Sequence, residues 1–202
     1  MIVGLGIMTL CTTSSHAAET KKIVFLGDSI TAGYGLKKEQ AYPSVISQLA
    51  EADGRNVQII NAGLSGDTTS GGLRRIRVIA RQPLDILVIA LGGNDGLRGI
   101  DPKVSQLNLE RIIDLVRGKH PDCQILVAGM QMPDNMGKDY IRAFRKVFAD
   151  VATKKKAHLL PFLLEGVAAD KSLNLPDGIH PNAKGQAIVA AHVYQALVPL
   201  LK

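Results

Sequence analysis

The stretch KIVFLGDSITAGYG, Lys22 to Gly35, begins as an unbroken apolar run and breaks at Gly27-Asp28-Ser29. A short apolar run with no alternation of polar residues is the pattern of a strand covered on both faces. Four similar runs follow at residues 57–60, 86–91, 125–128 and 158–162, the first at 23–26. Between and after them lie segments with apolar residues three and four apart: Tyr42–Ala52, Thr69–Ala80, Val104–Val116, Tyr140–Ala152 and Ala183–Leu200. That spacing marks amphipathic helices. Strand followed by helix, five times over, predicts an α/β fold with a parallel sheet and helices on both of its faces.

Glycine and aspartate gather where the early runs end: GDSITAGYG after the first, GLSGDTTSGG after the second and GGNDGLRG after the third. In open parallel sheets, ligands bind outside the carboxyl ends of the strands. All three loops are therefore expected to line one site, with the loop Leu175–Asn182 folding back to the same edge before the last helix. Ser29 on a strand-to-helix turn would present its hydroxyl at that edge, and a helix start favours developing negative charge. In Asp177-Gly178-Ile179-His180 the carboxylate can reach one imidazole nitrogen and leave the other to take a serine proton. Gly66, Asn94 and the Ser29 N–H could hold the oxyanion of a tetrahedral intermediate. Each feature alone also fits a plainer role: Ser29 as a helix cap, Gly66 as a turn residue, Asn94-Asp95 as an Asx turn, the Asp177 loop as a capping loop.

Composition narrows the class. The 202 residues suit one domain with a substantial core, expected over 19–202. Residues 1–18 read as a secretory signal, since MIVGLGIMTLC gives way to TTSSHAA before the first charge at Glu19. No Lys or Arg precedes that run, and Leu10 is too bulky for a lipidation site at Cys11. The expected address is the periplasm or the exterior. Removal of the leader leaves Cys123 as the only cysteine, so neither a disulfide nor a two-cysteine metal or redox site is expected. The net charge of +6 gathers at Arg74, Arg75, Arg77 and Arg81 and at Lys154, Lys155 and Lys156. With 4% aromatic residues and no Trp, nucleic-acid binding is not expected; solvated helix faces are, with weak attraction to anionic lipid surfaces or acidic substrates as the remaining reading. His120, His158 and His192 read as structural.

The blocks GDSITAGYG, NAGLSGDTTSGG, LGGNDGLRG and DGIHPN resemble, in order and rough spacing, the four blocks of the SGNH or GDSL hydrolase superfamily. The likeness runs from about Lys22 to the C-terminus and is greatest to the bacterial thioesterase I, protease I, lysophospholipase and arylesterase branch. It implies a three-layer α/β/α sandwich of flavodoxin-like type with a five-stranded parallel sheet. It implies Ser29 as nucleophile, His180 as base, Asp177 as its partner, and Gly66 and Asn94 as oxyanion donors with the Ser29 N–H. Asp28 would serve loop hydrogen bonding. The segment Gly96–Asp101 resembles a mobile loop over the acyl chain and Met130–Met136 an acyl-groove wall, although Met130, Met132 and Met136 read equally well as loop packing; Gly96, Leu97 and Met132 from these segments, with Ile179 beside His180, are the expected substrate-binding residues. No metal or cofactor is implied. The expected activity is hydrolysis of a small ester or thioester through an acyl-serine, by a monomer. A non-catalytic lipid carrier, or an anion binder using Gly63–Gly72, remain the alternatives.

Overall fold

The computed structural model describes residues 20–201, and the expected leader at 1–18 lies outside them. Strands β1 (Lys21–Gly27), β2 (Val57–Gly63), β3 (Ile86–Ala90), β4 (Gln124–Ala128) and β5 (His158–Leu160) form one parallel sheet in the order β2-β1-β3-β4-β5. Its centre is apolar on both faces: every residue of β3 is buried, as are Ile23 to Gly27 of β1. Helices α2 (Tyr42–Ala52) and α7 (Ala183–Leu197) pack together on one face. On the other, α3 (Thr69–Ile79), α5 (Pro102–Arg117) and α6 (Lys138–Lys154) lie side by side. Two short helices, α1 (Ser29–Ala32) and α4 (Gly93–Leu97), stand at the carboxyl edge of the sheet.

Three boundaries depart from the sequence pattern. β2 is an edge strand, so Gln58 and Ile60 face solvent while Val57 and Ile59 are half-buried against the core; it is not covered on both faces. β5 stops at Leu160 because Pro161 has no N–H to give a ladder. α7 ends at Leu197, and a 3₁₀ turn over Val198–Leu200 takes up Pro199, which cannot continue an α-helix.

The strand order reverses between β1 and β3, since the chain passes from β1 outward to β2 and then returns to the far side of β1. Ser29 follows one of the strands flanking that point and Asn94 the other. Such a point leaves a crevice, because the two connections leave in opposite directions. The loop after β2 closes against it: Leu64 N–H donates to Gly27 O at 3.0 Å. Gly63 permits this approach, for a Cβ there would lie 2.3 Å from the backbone nitrogen of Ala32 at the end of α1.

Candidate active site

The site is built from the ends of three strands and one late loop. Asp28, not Ser29, is the N-cap of α1, its carboxylate accepting from Ile30 N–H at 3.0 Å. Ser29 is thereby released from capping and sits at the first helical position. The late loop folds as a tight reversal, with Asn174 and Pro181 bridged and Leu175 N–H donating to His180 O at 2.8 Å. Asp177 does two jobs there. One carboxylate oxygen accepts from Ile179 N–H at 2.9 Å and His180 N–H at 3.0 Å, holding the turn; the other lies 2.8 Å from His180 Nδ1.

His180 Nε2 lies 2.8 Å from Ser29 Oγ, although the two residues are 151 apart in sequence. The proton positions follow from the partners. An ionised carboxylate only accepts, so Nδ1 carries the hydrogen, Nε2 of the neutral ring is the acceptor, and the Ser29 hydroxyl donates to it. The backbone N–H of His180, helped by that of Ile179 and by the imidazole, draws the Asp177 carboxyl down to about 2, so it is ionised at any ordinary pH. Tyr34 packs against the imidazole with ring centroids 4.6 Å apart and the two planes tilted by 39°. A hydroxyl that donates to an imidazole oriented by a carboxylate can lose its proton to that ring as it attacks a carbonyl.

Gly66 has φ +78°, a conformation that a side chain would strain, and its carbonyl accepts from Arg98 Nη2 at 3.0 Å. Among the described residues, neither the Gly66 nor the Ser29 backbone N–H has a partner. The Asn94 amide donates to Asp67 O at 3.0 Å, and its other contact, to Asp28 Oδ2, is a long 3.5 Å. Residues 93–97, expected as part of a loop, form α4. The segment beyond is tied down rather than loose: Ile100 N–H donates to Asp95 O at 3.0 Å, and Tyr140 Oη donates to Ile100 O at 2.8 Å. Gly96 is buried because Met132 packs on it; a Cβ there would fall 2.1 Å from the Met132 sulfur. Met132 itself is buried in the core, whereas Leu97 and Ile179 are exposed beside Asn94 and His180. A concavity of about 390 Å³ lies at the opposite edge of the sheet, around Lys21, Asp85 and Lys119, and contains none of these residues.

Two supports carry no sign in the motifs. Arg75, expected on a solvated face, turns inward: it pairs with Asp67 at 2.6 Å and donates to the carbonyls of Ala62 and Gly27. That clamps the loop bearing Gly66 to the end of β1. Asp95 is fully buried and accepts from Thr69 N–H at 2.9 Å, from the Thr69 hydroxyl and from Ser105 Oγ at 3.2 Å, joining α3, α4 and α5 behind Asn94. Lys154 and Lys155, also read as merely solvated, pair with Glu110 and Asp114, each at 2.7 Å. His120 Nε2–H donates to Ala80 O at 3.0 Å, and the ring is not near the site.

Burial, with the Asp67 carboxylate adding to it and the Ile30 N–H and His180 opposing, pushes the Asp28 carboxyl up from 3.8 to about 6. The folded state thus holds this proton more tightly than the unfolded chain. Its contribution to stability is greatest below pH 3.8 and is lost as pH rises through about 6, a swing on the order of 3 kcal/mol. Asp28→Asn keeps the acceptor for Ile30 N–H and removes the charge. By calorimetry, raising the pH from 4 to 7 should lower Tm less, or raise it more, in the variant than in the parent; an equal change would rule this account out.

Comparison with known proteins agrees with the geometry. Residues 25–188 match the model of the GDSL-like lipase/acylhydrolase family. The chain is 38% identical over 190 residues to esterase TesA of Pseudomonas aeruginosa, covering 94% of this chain and 92% of that protein. It is 34% identical over 199 residues to an arylesterase of Vibrio mimicus, covering 98% of each. A crystal structure of TesA superposes with a TM-score of 0.85 at 37% identity, covering 89% of this chain and 99% of that one. The sheet order, the layering and these likenesses agree: the chain belongs to the GDSL-like lipase/acylhydrolase family and is an ester hydrolase with the SGNH hydrolase fold.

Proposed function

We propose that Ser29 is the nucleophile of this esterase, His180 its general base and acid, and Asp177 the carboxylate that fixes the imidazole. The observation that carries the reading is the chain of two 2.8 Å contacts from Ser29 Oγ through His180 to Asp177. Ser29 attacks the carbonyl carbon of an ester or thioester as its proton passes to His180 Nε2. The oxyanion takes hydrogen bonds from the Ser29 and Gly66 N–H groups and from the Asn94 amide, which gives up its long contact to Asp28. His180 then protonates the leaving alcohol or thiol, and water attacks the acyl-Ser29 with His180 again as base. Asp177 supports the imidazolium electrostatically in both halves and keeps its own charge.

The acyl group of the substrate rests on the apolar rim, where Tyr34, Leu64, Leu97 and Ile179 are all exposed at the site edge. Gly96 and Met132 shape that rim from beneath, through the packing of the Met132 thioether on Gly96. Residues 19–202 form one hydrolase domain that works as a monomer, and residues 1–18 direct its export. An exported enzyme rarely meets acyl-CoA, which favours carboxylic esters and lysophospholipids as substrates, together with weak contact at lipid surfaces.

The test is covalent. A fluorophosphonate probe should label the protein at one site and stop hydrolysis of a p-nitrophenyl ester in step, with the adduct on the peptide containing Ser29. Labelling elsewhere, or none, would overturn the assignment. Asn94→Ala should lower kcat by about 100-fold with KM little changed, as expected when one oxyanion donor of three is lost. Unchanged kcat would take Asn94 out of the oxyanion site.

A further inference from the structure

The two helical faces of the sandwich differ sharply in charge. Helices α3, α5 and α6 carry 11 Lys or Arg against 4 Asp or Glu, a net +7, whereas α2 and α7 carry one Glu and one Lys between them, a net of zero. Some of the cations on the basic face are engaged: Arg75 with Asp67, Arg142 with Asp139, Lys154 with Glu110. Others are not. Arg77 and Arg111 make no ion pair with any of the described residues, and they face each other across a surface groove of about 380 Å³ between α3 and α5. Leu73 and Leu115 line the same groove, and its one carboxylate, Asp114, is already held by Lys155.

Beside the arginines lie exposed apolar side chains: Val78 next to Arg77 on α3, and Val104 and Leu107, two turns and one turn before Arg111 on α5. Fixed cations interleaved with exposed valine and leucine match the headgroup boundary of an anionic bilayer, where phosphates take the guanidinium groups and the acyl region takes the apolar ones. Single-stranded nucleic acid would be held by stacking aromatics beside the cations. The phenylalanines of this face, Phe144 and Phe148, are buried instead.

We propose that the α3/α5 face docks this esterase on anionic phospholipid bilayers, with lipid phosphate seated between Arg77 and Arg111. This localises the lipid contact proposed above and is independent of the catalytic roles. The contact is peripheral: among the described residues no helix is long and apolar enough to cross a membrane. Because the helices run back against parallel strands, the first turns of α5, with Val104 and Leu107, lie at the same edge of the sheet as Ser29. Docking by this face therefore brings the site edge close to the lipid.

The experiment is co-sedimentation of the full protein with phosphatidylcholine vesicles, with and without phosphatidylglycerol, at low and at high salt. Binding is expected only with phosphatidylglycerol and should weaken as salt rises. R77E/R111E should lower that binding by more than about tenfold, while hydrolysis of soluble p-nitrophenyl acetate stays at the parent rate. K38E/K184E, the same change in charge away from this face, should bind like the parent. Equal binding to neutral vesicles, no binding at all, R77E/R111E binding like the parent, K38E/K184E losing as much, or duplex DNA outcompeting the vesicles would each overturn the proposal. Vesicle binding is read without turnover, so its failure leaves the catalytic assignment to be judged by ester hydrolysis alone.

Discussion

Ser29→Ala is expected to lower kcat for ester hydrolysis by about 10⁵- to 10⁶-fold, the scale of a nucleophile knockout in a serine hydrolase triad. The reason lies in what the hydroxyl touches. Its hydrogen bond is to His180 Nε2 and it caps nothing, because Asp28 already caps α1. Alanine is a good residue for a helical position and deletes one small oxygen, so the melting temperature should stay close to that of the parent. Both backbone donors and the Asn94 amide also survive, so the variant should still bind substrate. Initial rates on a p-nitrophenyl ester, paired with a thermal melt, decide the matter. A folded variant within about tenfold of parental turnover would remove Ser29 from its role.

His180→Ala should lose nearly as much turnover, again on the order of 10⁵-fold, yet differ from the serine variant in kind. Ser29 keeps its oxygen but has no base to take the proton. A fluorophosphonate should therefore still label Ser29, slowly, and added imidazole should restore part of the turnover by filling the space of the missing ring. The loop itself should persist, since Asp177 holds it through the backbone N–H groups of residues 179 and 180 and not through the ring. Asp177 stays ionised down to about 2, so loss of activity on mild acidification is not a titration of this carboxylate. Turnover near the parental level in His180→Ala, or rescue in Ser29→Ala as well, would break the proposed relay.

The parallel sheet was legible because each strand is a local apolar run and each large helix a local periodicity, and both patterns survive folding unchanged. The site edge was legible for a similar reason: Gly-Asp-Ser, Gly-Gly-Asn-Asp and Asp-Gly-Ile-His are compact motifs whose loops can leave only from strand ends. What escaped was contact between segments with no local sign. Arg75 reads as one of a row of arginines, and nothing nearby in sequence says that it turns to the carbonyls of β1 and β2. Asp95 reads as half of an Asx turn, yet it is the buried acceptor that joins three helices. Met132 reads equally as an adaptable wall or as loop packing, and only the fold shows that it packs beneath Gly96. The helical start of Gly93–Leu97 was hidden because its glycines argue against helix when taken alone.

Gln186 in α7 accepts from Tyr42 N–H at 2.8 Å and donates to Ile30 O at 3.0 Å, buried links to partners 144 and 156 residues earlier. The helix that bears Ser29 is thus braced by a late helix, and the loop just before that helix supplies His180, the base proposed above. During synthesis, then, the serine emerges early and waits almost the whole length of translation for its partners. An unfinished polypeptide therefore lacks the contacts that hold this edge together, and a chain cut short before residue 186 should be silent in ester hydrolysis however well its first strands have paired.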